Sequence, residues 1–255
     1  MKNYIYYFLL ISIPISFSTI ACDKDDDDDK PTVISAVGEV QPAIDEFRNL
    51  LGANNGNTSG SQSSGRREIN WDGLPDSLCA PYNYPGKFFN QSPQTRGIEF
   101  STPGTGLMVS ADLNNPTSTL SSFGNINSTY TDIFPPFSGE RIFSPVGSNI
   151  ADIRFYIPGT NDPAVVQGFG AVYIDVDRVE NAAFEFFDIH ENSIGVYATG
   201  VLNEGHAFLA VNFDHPVIHH IRIEYGNSSL GPDDGGSVDV SVMDDFIFAE
   251  PQEPN

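Results

Sequence analysis

Val238-Asp239-Val240-Ser241-Val242-Met243-Asp244-Asp245-Phe246-Ile247-Phe248 is the last strongly patterned stretch of the chain. Val238, Val240, Val242, Phe246 and Phe248 fall on one parity. Successive side chains of a strand point to opposite faces, so the stretch reads as a β-strand with one apolar face. The same period recurs upstream. In Ile218–Tyr225, Ile221, Ile223 and Tyr225 alternate with His220, Arg222 and Glu224. Ala207–Phe213 is apolar on both parities, with Phe208 and Leu209 adjacent, as a central strand requires. Further strand candidates are Gly97–Thr102, Gly106–Ala111, Ile150–Ile157, Val166–Asp177, Ala183–Ile189 and Ile194–Thr199. Gly, Pro, Asn and Asp clusters separate them, and no amphipathic helices alternate with them, which argues against a parallel α/β sheet. Nineteen Phe and ten Tyr suit the core and faces of such a protein. The expectation is an all-β chain: an antiparallel, jelly-roll-like β-sandwich over residues 66–250, with one short N-terminal helix.

The helical candidate lies within Val33 to Leu51. Ile44, Phe47, Leu50 and Leu51 share a face, Pro42 suits a first turn and Gly52 a C-terminal stop. Asn54 to Gly65 is almost entirely Asn, Gly, Ser and Thr and reads as a flexible loop, so residues 35–65 divide into helix and loop. Residues 251–255 form a tail.

Met1-Lys2-Asn3 is a short positive start, and Tyr4 to Ile20 is apolar apart from Ser, Thr19 and Pro14. A small residue and a cysteine follow at once. Thr19-Ile20-Ala21-Cys22 resembles the box cut by the lipoprotein signal peptidase, with Thr19 where leucine is usual. Residues 1–21 then form a signal peptide, and Cys22 carries the lipid that anchors the chain in a membrane. The acidic run Asp23-Lys24-Asp25-Asp26-Asp27-Asp28-Asp29-Lys30 resembles the signal that sends lipoproteins of Bacteroidota to the outer face of the outer membrane. Like charges repel and stay extended, so residues 22–34 read as an acidic tether.

The formal net charge is −22, and Lys87 is the only lysine after residue 30. Such a chain repels nucleic acid, which is excluded as a partner, and suits neutral glycans, cations or basic surfaces. With Cys22 used by the lipid, Cys79 stands alone in Leu78-Cys79-Ala80-Pro81 and reads as a small buried apolar residue.

Together, Gly65-Arg66-Arg67-Glu68-Ile69-Asn70-Trp71-Asp72-Gly73, Phe88-Phe89-Asn90, Arg96-Gly97, Phe100-Ser101-Thr102-Pro103-Gly104, Arg141-Ile142-Phe143, Gly168-Phe169-Gly170-Ala171-Val172, Asp175-Val176-Asp177 and Val242-Met243-Asp244-Asp245-Phe246-Ile247-Phe248 resemble a family of uncharacterised secreted bacterial β-sandwich proteins. These blocks cover most of residues 35–250. The family implies a sandwich and no particular activity. The closing strand also resembles the last strand of jelly-roll carbohydrate-binding modules.

Asp244 shares the parity of Val242 and Phe246, so an unbroken strand buries it, and a buried carboxylate needs a partner. Three readings stand open. It pairs with Arg66, Arg67, Arg96 or Arg141 or bonds a loop backbone; it binds calcium; or a bulge at Met243 or Asp244 changes its face. Asp175 and Asp177 share one strand face, and with Asp244 or Asp245 they make the candidate oxygen-only cage for Ca²⁺; the plain alternative is a solvated strand end. Asp233-Asp234-Gly235-Gly236 reads as an ordinary turn with no specific ion. His219 and His220, adjacent on a strand, face opposite ways and do not share a metal easily. Trp71, the single tryptophan, either stacks on a sugar ring or covers an edge of its own core. Carboxylates are plentiful, but nothing marks two as a glycosidase pair, and no Gly-x-Ser-x-Gly elbow or phosphate loop is present. A surface binding domain for glycans is therefore expected ahead of a structural or adhesive surface protein, and both ahead of a carbohydrate-active hydrolase.

Overall fold

The computed structural model describes residues 30–179 and 181–254. The expected signal peptide, Cys22 and the acidic run as far as Asp29 lie outside the described residues. In chain order the elements are β1 (Thr32–Val37), α1 (Gln41–Leu51), β2 (Arg66–Ile69), the two-residue strands β3 (Asn90–Gln91) and β4 (Gln94–Thr95), β5 (Ile98–Ser101), β6 (Gly106–Val109), α2 (Tyr130–Ile133) and β7 (Phe143–Val146). There follow β8 (Ile150–Phe155), β9 (Gly168–Val176), β10 (Ala182–Phe187), β11 (Ser193–Ala198), β12 (Leu202–Asn212), β13 (His220–Tyr225) and β14 (Val242–Ala249).

Two antiparallel sheets form the sandwich. One runs β1-β12-β9-β14-β7-β6, with β2 also paired to β14; the other runs β11-β10-β13-β8-β5. Alternating burial follows from the period-two pattern: β13 buries Ile221, Ile223 and Tyr225 and exposes Arg222. Rings cross between the sheets, as in Tyr173 with Phe184 at 5.4 Å and Phe155 with Phe248 at 5.5 Å. The Tyr173 hydroxyl donates to the carbonyls of Ala183 (3.0 Å) and Glu224 (3.2 Å), tying β9 to the opposite sheet. β12 is central, flanked by β1 and β9, which explains its apolar residues on both faces.

Three features differ from the sequence reading. β1 already begins at Thr32, inside the expected tether, and pairs with β12 from Thr32↔Asn212 to Val37↔Ala207. The helix itself, Gln41–Leu51, lies where Pro42 and Gly52 set its ends. It lies against the sheet through Phe47, whose ring is 6.1 Å from Phe208, while Leu50 stays half exposed rather than joining the packed face.

Residues 54–65, expected to be a free loop, wrap a buried arginine. Arg67 is fully buried. Its guanidinium donates to the carbonyls of Gly56 (3.1 Å), Thr58 (3.0 Å), Gly60 (3.0 Å) and Thr95 (2.7 Å), and to both carboxylate oxygens of Glu250 (2.8 and 2.7 Å). A small polar loop can fold around a charge because its carbonyls supply the missing solvation.

The third difference sits in β14. Asp244 pairs with Val172 and Phe246 with Ala171, leaving Asp245 as the extra residue of a bulge at φ +39°. One inserted residue reverses the parity beyond it. Val240 and Val242 therefore pack outside with Phe123, Tyr130, Phe134 and Ile174, while Phe246 and Phe248 meet Phe169 and Phe155 inside. The bulge weighed in the sequence reading is present, one residue further on.

Candidate functional site

Asp244 is fully buried, and among the described residues no arginine forms an ion pair with it. Its partner is the backbone of the loop after α2. Oδ2 accepts the amides of Phe137 and Ser138, both at 2.9 Å, and Oδ1 accepts the amide of Asp245 at 2.8 Å. Burial, with the Asp245 charge beside it, pushes its pKa well above the ordinary carboxylate range; the backbone donors from Ser138 and Asp245 pull the other way. Asp72 holds the same loop from the other side, its Oδ1 accepting the amides of Glu140 (2.7 Å) and Arg141 (3.3 Å). A Cβ on Gly139 would collide with the Asp72 carboxylate, and its φ is +59°, so glycine is required there. Ser138 Oγ donates to Asp245 Oδ1 at 2.5 Å. Three aspartates thus clamp one loop, residues 137–141.

The clamped loop forms one wall of an open cleft of about 320 Å³ lined by Arg48, Asn54, Glu68, Asn70, Arg96, Ser138 and Asp245. Arg66 and Glu68 share the parity opposite Arg67 and Ile69, so the four residues of β2 serve two faces. Arg48 of α1 reaches over the sheet to Glu68, with Nε–Oε1 at 3.1 Å and Nη2–Oε2 at 2.8 Å, and lies 3.6 Å from Asp245. Arg66 adds a contact of 2.6 Å to Glu68. Although burial raises it, the hydrogen bonds and charges of Arg48 and Arg66 hold the Glu68 carboxyl below its usual range. Asp245 moves oppositely: burial raises it against the pull of Ser138 and Arg48. Arg96 donates to the Glu68 carbonyl at 2.5 Å and to Asn57 Oδ1 at 2.7 Å, and its guanidinium lies 4.8 Å over the Phe89 ring. The segments around residues 66–72, 89, 96, 138–141 and 244–245, distant in sequence, therefore meet at one place.

Trp71 neighbours the cleft from within the core. It is 1% exposed, stacks on Phe143 at 4.5 Å and meets Phe246 edge-on at 5.2 Å. Its ring faces are taken, so the sugar-stacking expectation gives way to the core-covering one.

Asp175 and Asp177 lie elsewhere. Their acidic neighbours are Asp234 and Asp239, whereas those of Asp244 and Asp245 are Asp72 and Glu68. The four aspartates singled out as one calcium cage thus divide between two places. Asp239, whose parity sets it opposite the apolar face of an unbroken strand, is also fully buried; it precedes β14, which begins at Val242. Among the described residues no group of three or more His, Cys, Asp or Glu stands so that it could hold a metal ion. His219 and His220 do face apart. His219 Nδ1 lies 2.8 Å from the Ala164 carbonyl, while His220 sits between Asp152 (2.8 Å) and Glu191 (2.7 Å).

Arg48, Ser138 and Asn54 escaped the sequence reading. Arg48 lies on a helix whose apolar face drew the attention, and Ser138 acquires its role only through the bulge at Asp245.

No family model and no curated protein matches the chain. Among solved structures it is similar to the enzymatically active domain of tailspike protein 4 of bacteriophage CBA120, at 17% identity and a TM-score of 0.29. That likeness covers 70% of this chain and 22% of the phage chain.

Proposed function

We propose that the protein is a lipoprotein anchored through Cys22 in the outer membrane, facing the extracellular side, whose β-sandwich binds a glycan in the cleft of Arg48, Glu68, Asn70, Arg96 and Asp245. The observation that carries the reading is the cleft's lining of planar polar side chains, held rigid by ion pairs and by the three-aspartate clamp. Such groups match the paired hydroxyls of a sugar and lose little entropy when already fixed. A second pocket of about 170 Å³ shares Asn70 and Arg96 with the cleft and adds the half-buried Phe88, an apolar surface for a pyranose. Glu68 and Asp245, shifted in opposite directions, are also the pair a glycosidase would use. Binding is favoured because Glu68 gives both oxygens to arginines.

The test is a glycan array on the full chain in detergent, with Asn70→Ala as control. Since Asn70 is exposed, the variant should fold and lose at least about tenfold in affinity for any glycan found, the loss of about one good hydrogen bond. Release of sugar from that glycan would favour the hydrolase. A folded chain that binds nothing favours the structural surface protein. For the anchor, Cys22→Ser should abolish palmitate labelling and membrane retention; unchanged labelling defeats that part.

A further inference from the structure

Four strands form the outer edges of the two sheets: β1 and β6 in one, β11 and β5 in the other. Three of them are guarded. The Ala80 amide donates to the Val109 carbonyl and the Tyr84 amide to the Leu107 carbonyl, both at 2.7 Å, so residues 80–84 run along β6. The Phe100 amide of β5 donates to the Gly86 carbonyl at 2.8 Å, and Gly86 lies so close that a Cβ there would strike the Phe100 carbonyl. β1 is preceded directly by Pro31 and by the charged run Asp23 to Lys30. A covering segment, a proline and a block of charge are devices that keep a sheet edge from pairing with another chain.

β11 has none of them. Ser193–Ala198 reads Ser-Ile-Gly-Val-Tyr-Ala, and neither a charged residue nor a proline occurs from Asn192 to Asn203. The strand pairs with β10, from Ala183↔Ala198 to Phe187↔Ser193, and among the described residues no other segment bonds its backbone. Its inward side is closed. Tyr197 packs on Phe186 at 5.8 Å, and its ring passes so close to Gly195 that a Cβ there would collide with it. The outward side carries Ile194, Val196 and Ala198, and Val196 is 62% exposed.

We propose that β11 is a self-association edge. Two copies of the chain pair β11 to β11, antiparallel, about a two-fold axis at Val196, and their five-stranded sheets join into one sheet of ten strands. An axis normal to the sheet keeps every side chain on its own face, so one residue must stand opposite itself. With Val196 at the centre, Ile194 of each copy meets Ala198 of the other, and the outward apolar row continues across the join. Charge selects this partner. Chains of net charge −22 repel one another, so two copies can meet only where charge is kept away. Strands stand about 4.8 Å apart, which sets the two Glu185 carboxylates, each in register with Val196, about 14 Å from one another, beyond the Debye length of about 8 Å. Glu191 comes opposite Val201 of the second copy, and its carboxylate is already held by His220 at 2.7 Å and Arg154 at 3.1 Å. A basic foreign strand finds no acid on β11 to recognise. Six residues a side are fewer than the roughly 20–30 of a standard interface, so the pair is weak and reversible. None of these residues lines the cleft, and the pairing does not depend on glycan binding.

Two measurements on the full chain in detergent test the assignment. Residues directly opposite in an antiparallel pair have Cα atoms about 4.5–5.5 Å apart, within the reach of a disulfide. Val196→Cys should therefore give a covalent dimer under mild oxidation, whereas Val33→Cys on β1 and Leu113→Cys on a loop, both exposed, should not. Hydrogen exchange of the Ser193–Ala198 amides at the free edge should slow with protein concentration, by about tenfold once nine-tenths of the chain is paired. Val196→Lys sets like charges opposite one another at an exposed position, so it should fold and keep exchange fast at every concentration. Equal cross-linking of all three cysteine variants reports crowding in a micelle and overturns the proposal. Exchange independent of concentration, or slowed equally in Val196→Lys, overturns it too. Exchange slowed by an unrelated uncharged strand peptide and not by a second copy assigns the edge to a foreign strand instead.

Discussion

Asp244 is a buried carboxylate that forms no ion pair among the described residues. Backbone amides take the place of a cation, and their fixed direction makes the arrangement sensitive to loss of the acceptor. Asp244→Ala strips the acceptor from three amides, each costing about 1–3 kcal/mol if left buried and unpaired. The variant should lose at least about 3 kcal/mol in urea unfolding, against less than about 0.5 kcal/mol for exposed Asp162→Ala. Similar small losses for both would mean that water replaces the carboxylate. Cys79 makes the contrasting case. Burial pushes its thiol up to about 11, despite a nearby Arg141 that the sequence did not bring to mind. At pH 8 it should resist a thiol reagent until urea unfolds the chain; rapid native labelling would contradict its burial. That Asp244 needed a partner was legible from parity alone. The identity of the partner was not, since two loop amides carry no signature in a sequence.

Elements with their own hydrophobic period were legible, and elements made by their surroundings were not. β9, β12 and β13 carry apolar alternation or an unbroken apolar run. β2 reads Arg-Arg-Glu-Ile and becomes a strand only because β14 offers an edge and Glu250 neutralises Arg67. β7 contains Pro145, which argues against a strand until its position beside β6 is known. β1 is six residues at a sheet edge, directly before a helix whose signals overrode it. The Arg67–Glu250 pair is therefore a test of how β2 is held. Arg67→Met or Glu250→Leu alone should cost about 3–5 kcal/mol, because each leaves one buried charge unpaired. Together they should cost less than the sum, and a double-mutant cycle in urea measures the difference. Additive effects would mean that the loop carbonyls around Arg67, rather than Glu250, carry its stabilisation.

For the molecule as a whole, charge sets the response to pH. Asp175, Asp177, Asp239, Asp244, Asp245 and Glu224 are raised by burial, so the folded state binds protons that the unfolded state has released. Their contribution is complete below the ordinary carboxylate range and fades as pH climbs through the folded values, about 8 for Asp175. Glu68, Asp152 and Glu191 are lowered by arginine and histidine partners, and theirs is lost as pH falls below about 4. With divalent ions chelated, urea unfolding followed across pH by circular dichroism should show greatest stability near about pH 4–5 and a decline towards pH 9. A flat profile above pH 6 would mean that the buried carboxylates are ionised and paired in the fold. Trp71 has one more consequence. It is the chain's single tryptophan, sealed against Phe143, and it is flanked in sequence by Asn70 of the cleft and Asp72 of the clamp. The protein therefore carries its own fluorophore at one known position. Its emission should be blue in the native state and shift red on unfolding, and a ligand that moves Asn70 or the 137–141 loop is read without a label.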